Sequence, residues 1–244
     1  MIDNVPKIAV MGGGSWATAI AKIILRNVPQ ITWYMRRQEQ IDEFKRIAHN
    51  PSYLSSVTFD IDRISFTNKI NTAVANNDIL IFATPSPFFK SHMKNLRRRL
   101  DSKIIVSAIK GIVPDENVVI SEYFNKFYNV PYDSICALSG PCHAEEVALE
   151  RTSYLTIACP DREIARLVAS LVNTDFVKTS ISDDVYGVEY SSVMKNIYAI
   201  AAGICHGLKY GDNFQAVLVS NAIQEMNKFC NAVHPFHRNI QESV

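Results

Sequence analysis

Lys7-Ile-Ala-Val-Met-Gly-Gly-Gly-Ser-Trp-Ala-Thr-Ala-Ile-Ala-Lys-Ile-Ile-Leu25 is the stretch whose reading decides the fold. Its opening run, Ile8 to Met11, is apolar at every position, as a strand covered on both faces must be. Residues 15–25 instead space their apolar side chains at helical intervals. Between them Gly12-Gly13-Gly14-Ser15-Trp16-Ala17 matches the pattern G-x-G-x-x-G/A. Gly12 permits the tight turn, Gly14 lets a pyrophosphate approach the backbone, and Ala17 lets the helix sit close to the strand. The unpaired N–H groups of the first helical turn, with the helix dipole, favour an anion at that point. Glycine turns occur between strands and helices without any ligand. The strand–turn–helix context nevertheless ranks dinucleotide binding above a plain turn.

Outward from this stretch the same alternation repeats. Strands are expected at residues 31–34, 57–59, 63–66, 78–83, 103–108, 134–138, 154–159 and 175–178. Helices are expected at residues 38–49, 70–75, 88–100, 117–127, from 142, and at 161–172. Strands alternating with helices predict an α/β fold, a Rossmann-like, doubly wound and mostly parallel sheet. Past Asp183 the strand signals stop: residues 185–207 carry a long alanine-rich helical pattern, and residues 214–230 a second amphipathic one. The expected organisation is a dinucleotide-binding domain over residues 1–183 and the N-terminal part of a helical substrate domain over residues 184–244.

Composition narrows the function classes. With 25 basic and 24 acidic residues the net charge is +1, so no global field draws the chain to nucleic acid or to an anionic membrane. The five cysteines are odd in number and contain no C-x-x-C pair, which argues against a disulfide framework or a zinc site and fits a reducing, cytoplasmic compartment. The N-terminal Met1-Ile-Asp-Asn4 lacks the basic and apolar regions of a signal peptide. The longest apolar stretch, residues 197–205, is too short for a membrane span.

Ligands in this fold class collect at the carboxyl ends of the strands. Thr84-Pro85-Ser86-Pro87 closes one strand and reads as a rigid turn, while Lys110-Gly111 puts a cation directly after another. After the second strand, Tyr34-Met35-Arg36-Arg37 has no acid where an NAD-selective site carries one. Paired guanidiniums suit a ribose 2′-phosphate, so NADPH is favoured over NADH. Lys195 lies in the mostly apolar segment Ser192-Val-Met-Lys-Asn-Ile-Tyr-Ala-Ile-Ala-Ala-Gly203 and must reach solvent, pair, or serve in chemistry. Desolvation or a neighbouring cation such as Lys110 would lower its pKa towards proton transfer. Asn196 adds an amide that could orient a substrate hydroxyl. No metal site is expected.

Taken in order, several motifs carry a resemblance. They are Gly-Gly-Gly-Ser-Trp-Ala-Thr-Ala (12–19), Ile-Lys-Gly-Ile (109–112) and Leu-Ser-Gly-Pro-Cys-His-Ala-Glu-Glu-Val-Ala (138–148), then Lys195-Asn196, Gly-Leu-Lys-Tyr-Gly-Asp-Asn (207–213) and Gln224-Glu225-Met226. From about Lys7 to Lys228 the chain resembles the bacterial-type NAD(P)-dependent glycerol-3-phosphate dehydrogenase family. The resemblance implies hydride transfer between NADPH or NADH and dihydroxyacetone phosphate, giving sn-glycerol 3-phosphate for glycerophospholipid synthesis. It implies cofactor contacts by Gly12, Gly14, Ser15, Trp16, Ala17, Arg36 or Arg37, Lys110 and Ala144. Substrate contacts would come from Lys110, Gly140, Cys142, Lys195 and Asn196, with Lys195 as general acid.

Position 142 in the family usually carries a hydroxyl, and a thiol is a weaker hydrogen-bonding partner. The family's helical domain normally continues, supplying an aspartate near the lysine and a Ser-Arg-Asn phosphate clamp. Neither precedes Val244, and the surroundings of His237-Arg238-Asn239 do not match that clamp. The expectation is therefore a truncated chain with impaired turnover, whose uncovered apolar surface self-associates, a homodimer included. Alternative readings are a related β-hydroxyacid-type dehydrogenase and a nucleotide-binding module without turnover.

Overall fold

Ile8–Met11 forms strand β1 with all four residues buried. The reason lies in its two faces: Ile8 and Val10 enter one apolar layer, Ala9 and Met11 the other. The structure, a computed structural model, describes residues 6–236. Met1 to Asn4 and the final residues 237–244, including His237-Arg238-Asn239 and the end of the helical unit read from the sequence, lie outside the described residues.

After β1 come α1 (Ser15–Asn27), β2 (Ile31–Tyr34), α2 (Gln38–Ile47), β3 (Ile64–Thr67), α3 (Ile70–Ala75), β4 (Ile79–Phe82), α4 (Ser86–Met93) and β5 (Ile104–Ser107). A short hairpin of β6 (Ile112–Val113) and β7 (Val118–Val119) leads into α5 (Ile120–Tyr128). The chain continues through β8 (Ile135–Ser139), α6 (Ala144–Ala148), β9 (Ser153–Ala158), α7 (Arg162–Val172) and β10 (Val177–Ser182). Helices α8 (Val185–Gly207) and α9 (Asp212–Val233) follow. The large sheet has the order β10-β9-β8-β5-β4-β1-β2-β3, so β1 lies at the point where the winding reverses, between β4 and β2. Strand by strand, side chains alternate between the two buried layers; Ile79 and Ile81 of β4 face one, Leu80 and Phe82 the other.

The sheet is doubly wound and mostly parallel, with one reversal. β8 and β9 pair antiparallel, and β10 runs parallel to β9. Residues 140–152 join β8 to β9 and carry the short α6, and the chain returns beside β8 in the opposite direction. The strand expected at 57–59 is a loop: Phe59 donates its N–H to Ala48 O (2.8 Å) and turns its ring onto Trp33 (5.4 Å between centroids). Its apolar residues meet a core ring instead of a neighbouring strand. The helix expected at 88–100 ends at Met93. There the Asn71 carboxamide takes the Arg97 and Arg98 N–H groups (2.7 and 3.2 Å) and donates to Asn95 O (2.9 Å), diverting the backbone from helical pairing. The helix expected to begin at 117 begins at Ile120, because Asp115 and Asn117 adopt positive φ (73° and 55°) and close the hairpin.

α8 packs on β8 and against α9. Its start is set by Asp184, whose carboxylate accepts from Gly187 N at 2.9 Å. Met226 and Cys230 of α9 close a small cluster with Tyr190, Met194 and Tyr198 of α8. On the remaining surface of α8, Ile197, Ile200 and Ile204 are exposed.

Candidate active site

The turn after β1 is held from three sides. Gly12 donates its N–H to Tyr34 O (3.0 Å), and the buried Trp33 indole donates to Gly12 O (2.7 Å). Gly12 has φ +140°, and a Cβ there would stand 2.5 Å from Ala83 O, so both backbone conformation and close approach demand glycine. The Gly13 carbonyl accepts from Gln40 Nε2 (2.9 Å) and Asn50 Nδ2 (3.1 Å). Asn50 also donates to Thr18 Oγ1 (2.8 Å), which in turn donates to Gly14 O (2.9 Å). These bonds stiffen the turn and leave the N–H groups at the start of α1 open. Gly14 is the N-cap of α1 with no side-chain cap, and a Cβ there would meet nothing within 4 Å.

That open side faces a cleft of about 510 Å³ at the carboxyl ends of the central strands. Gly14, Ser15 and Trp16 line it after β1, Thr84 after β4, Lys110 after β5, and Cys142 and Ala144 after β8. Two buried polar atoms at this cleft, Trp16 Nε1 and Thr84 Oγ1, have no hydrogen-bond partner among the described residues. An uncapped helix start with free N–H groups, an open Gly14 and two unsatisfied polar atoms fit a dinucleotide that brings its own acceptors. Among the described residues no group of three or more His, Cys, Asp or Glu could hold a metal ion, and no helix is long and apolar enough to cross a membrane.

Two lysines lie within electrostatic reach of one another, Lys110 on the cleft wall and Lys195 from the helical unit. Lys110 Nζ lies 5.5 Å from the centroid of the Trp16 ring, and burial pushes its pKa below that of a free lysine. Lys195, from the middle of α8, reaches back to donate to Gly140 O at 2.8 Å. Burial first, then the Lys110 charge, lower the Lys195 pKa to about 8, with Cys142 acting in the opposite direction. Gly140 admits no side chain, since a Cβ would sit 2.2 Å from Tyr154 O. The Cys142 thiol donates to that same Tyr154 O (3.1 Å), so its one donor is spent on the backbone.

The residues singled out in the sequence separate into groups. Gly14, Ser15, Trp16, Lys110, Cys142 and Ala144 share the cleft, with Gly12 beneath it and Ala17 buried where α1 meets the sheet. Gly140 and Lys195 are hydrogen-bonded to each other, with Lys195 within electrostatic reach of Lys110 of the cleft, and Asn196 is exposed beside Lys195. Arg36 and Arg37 stand apart from these, exposed at the end of β2, with Arg36 Nη1 3.4 Å from Ser91 Oγ.

Sequence reasoning missed three residues. Thr84 was hidden in a proline-rich turn, and Tyr53, on the cleft rim, in a loop with no pattern of its own. The third is Glu189, which is wholly buried and accepts from Ser121 N (3.1 and 3.2 Å) and from Ser121 Oγ, tying α8 to the first turn of α5. Burial raises its pKa to about 7 against the opposing effect of those hydrogen bonds. The signal was present: Glu189 is the one acidic residue of α8, as Lys195 is its one lysine.

Comparison with known proteins adds an independent line. Residues 7–165 match the family model for the NAD-dependent glycerol-3-phosphate dehydrogenase N-terminus, and residues 184–243 the model for its C-terminus. A glycerol-3-phosphate dehydrogenase (NAD(P)+) of Lactobacillus delbrueckii subsp. bulgaricus is 34% identical over 230 residues, covering 91% of this chain and 67% of the relative. One from Lysinibacillus sphaericus is 34% identical over 224 residues, covering 91% of this chain and 66% of its own length. The chain thus spans about two thirds of these relatives. Among solved structures, Plasmodium falciparum glycerol-3-phosphate dehydrogenase superposes with a TM-score of 0.89 at 26% identity, covering 98% of this chain and 70% of that one.

Proposed function

The chain belongs to the NAD-dependent glycerol-3-phosphate dehydrogenase family, and on that premise we propose that it serves hydride transfer between a nicotinamide dinucleotide and dihydroxyacetone phosphate. The observation that carries the proposal is the Lys195–Gly140 hydrogen bond (2.8 Å), with Lys195 within electrostatic reach of Lys110 in a cleft that also takes in the uncapped start of α1.

Gly14, Ser15 and Trp16 would hold the pyrophosphate through the free N–H groups of α1, with Lys110 and Ala144 along the nicotinamide half. When bound, the cofactor supplies or accepts the hydride at C2 of the substrate. The chain's own part is positioning and charge. Lys110 carries its charge beside the cofactor face and towards the substrate phosphate or carbonyl. Lys195, as ammonium, donates a hydrogen bond to the C2 oxygen, stabilises its developing negative charge and hands over the proton. Gly140 O holds Lys195 Nζ at 2.8 Å and so aims it. In the oxidation direction the neutral amine takes the proton from the C2 hydroxyl. Asn196 would orient a substrate hydroxyl, and the backbone at Gly140 and Cys142 the substrate chain.

For the cofactor's finer identity we propose NADPH, because Arg36 and Arg37 both stand at the end of β2, the ribose side of the fold. We further place the change from nucleotide unit to helical unit at residues 183–184. The last described strand ends at Ser182 and the described elements beyond it are the helices α8 and α9, which supports that reading. A cytoplasmic location and a homodimer complete the proposal, the latter supported by the exposed Ile197, Ile200 and Ile204.

Reduced-nicotinamide fluorescence on adding the protein tests cofactor binding, and oxidation at 340 nm with dihydroxyacetone phosphate, set against non-phosphorylated keto acids, tests the reaction. Binding, and turnover confined to the phosphorylated ketone, are expected. No binding of either nicotinamide form, or turnover of keto acids alone, would overturn the reading.

A further inference from the structure

The antiparallel seam between β8 and β9 places two cysteines opposite one another. Ala137 pairs with Ala158 and Leu138 with Ile157, so the next step of the register sets Cys136 against Cys159. The backbone tells which kind of pair this is. Cys159 donates its N–H to Ser182 O (3.0 Å), and Ser153, three pairs along the same strand, donates to Phe176 O (2.8 Å). The N–H groups of alternate β9 residues therefore point to β10, and Cys159 makes no ladder bond with β8. Cys136 and Cys159 form a non-hydrogen-bonded pair, the kind in which Cα atoms approach to about 4.5 Å, inside the range that a disulfide spans.

Both side chains point into the same apolar layer, alongside Leu138 and Ile157 and beneath Ala165 and Val168 of α7. Both are free thiols and fully buried, at 0% exposure. We propose that Cys136 and Cys159 are a reversible dithiol–disulfide pair, closed by a hydroperoxide-class oxidant. The site is independent of the dehydrogenase reading and needs none of its residues.

The opposite pKa shifts of the facing thiols give the order of events. The two sulfurs interact across the seam, which lowers the Cys159 pKa and raises that of Cys136, and the Cys159 thiol also lies 3.3 Å from Asp133 O, to which it donates. Cys159 also lies two residues before Asp161, the N-cap of α7. As the thiolate, the Cys159 sulfur attacks one peroxide oxygen; the O–O bond breaks and a sulfenic acid and one water (or alcohol) result. The Cys136 sulfur then attacks the sulfenic sulfur, the S–O bond breaks, and the hydroxyl leaves as water with the Cys136 proton. Two thiols have lost two electrons and two protons, and one peroxide has become two waters. A dithiol reductant reverses the closure by exchange. Because both sulfurs are covered, the rate follows local opening of the seam. The closed pair would brace the strand that ends at Ser139, directly before the Gly140 carbonyl held by Lys195.

The test uses the reduced 244-residue protein in native buffer with hydrogen peroxide. Remaining thiols are blocked with N-ethylmaleimide in denaturant and peptides are mapped without reduction. The expected result is one linked species joining the Cys136 and Cys159 peptides, lighter by two hydrogens, with Cys142, Cys205 and Cys230 alkylated and an unchanged circular dichroism spectrum. Dithiothreitol should return it to five alkylated cysteines. Cys136→Ser should halt the reaction at a dimedone-reactive Cys159; should that variant not fold, the wild-type map decides alone. The proposal is overturned if both residues stay alkylatable at every oxidant dose, if either links elsewhere, or if the link forms only once the spectrum reports unfolding.

Discussion

Replacing Glu189 with glutamine should make the stability of this protein less sensitive to pH across the neutral range, by an amount the structure sets. Glu189 is completely buried, and its pKa rises from 4.5 to about 7, chiefly through desolvation. An acid whose folded pKa is raised keeps its proton in the native state while the unfolded chain gives it up. Stability therefore falls as pH rises from 4.5 to about 7, and the group contributes no slope outside that window. At about 1.4 kcal/mol per pH unit, the window corresponds to about 3 kcal/mol. The facing groups do not cancel it: Glu122 adds to the rise, and Tyr132, Tyr186 and Tyr190 are neutral through this range, their own pKa values raised by burial. Glutamine fits the same place, accepting from Ser121 N and donating to Ser121 Oγ, so the variant should fold.

Urea unfolding followed by circular dichroism, at pH 5, 6, 7 and 8, gives the difference between Glu189→Gln and the parent, from which other titrating groups drop out. Near pH 5 the two should be within about 1 kcal/mol, the range of a net hydrogen-bond change. By pH 8 the variant should have gained about 3 kcal/mol relative to the parent, or roughly 6–12 °C in Tm for a chain of this size. Free energies that run parallel across the four pH values would refute the reasoning, since the carboxyl would then titrate alike in both states.

Gly12→Ala should lower stability by roughly 1–3 kcal/mol and abolish dinucleotide binding, because the backbone conformation and the Ala83 contact both exclude a Cβ; thermal melting and nicotinamide fluorescence measure the two effects. Lys195→Met should cut turnover by about 10²–10⁴-fold with cofactor affinity unchanged, as expected for a lost proton donor. In the parent, ketone reduction should decline as pH passes the Lys195 pKa of about 8 while alcohol oxidation rises there, and the methionine variant should lose that limb of both profiles. Arg36→Ala combined with Arg37→Ala should weaken NADPH binding by about 1.5–3 kcal/mol per lost charged contact, with little change for NADH; equal losses for both cofactors in a titration would count against the 2′-phosphate role.

Local pattern carried much of this protein. The run Ile8 to Met11 had to be a doubly covered strand, since every side chain needs an apolar neighbour on its own face. The glycines after it, Lys110 after a later strand and Lys195 within a mostly apolar helix were legible because each breaks its local pattern for a chemical reason. What neighbouring residues could not reveal was which partner a group meets across long sequence separations. Phe59 lost its strand to Trp33, α4 ended where Asn71 intercepted its backbone, and β9 pairs antiparallel with β8 in an otherwise parallel sheet. The site divides along the same line. That Lys195 is unusual follows from the sequence alone; that it reaches Gly140 O, 55 residues earlier, beside Lys110, depends on packing α8 against β8. The sequence by itself determined the elements and the chemical groups, because propensity and periodicity act over a few residues. Only the tertiary structure decided the Lys195 pKa, the burial of Glu189 and the pairing of Cys136 with Cys159, because desolvation and charge act through space between segments far apart in the chain.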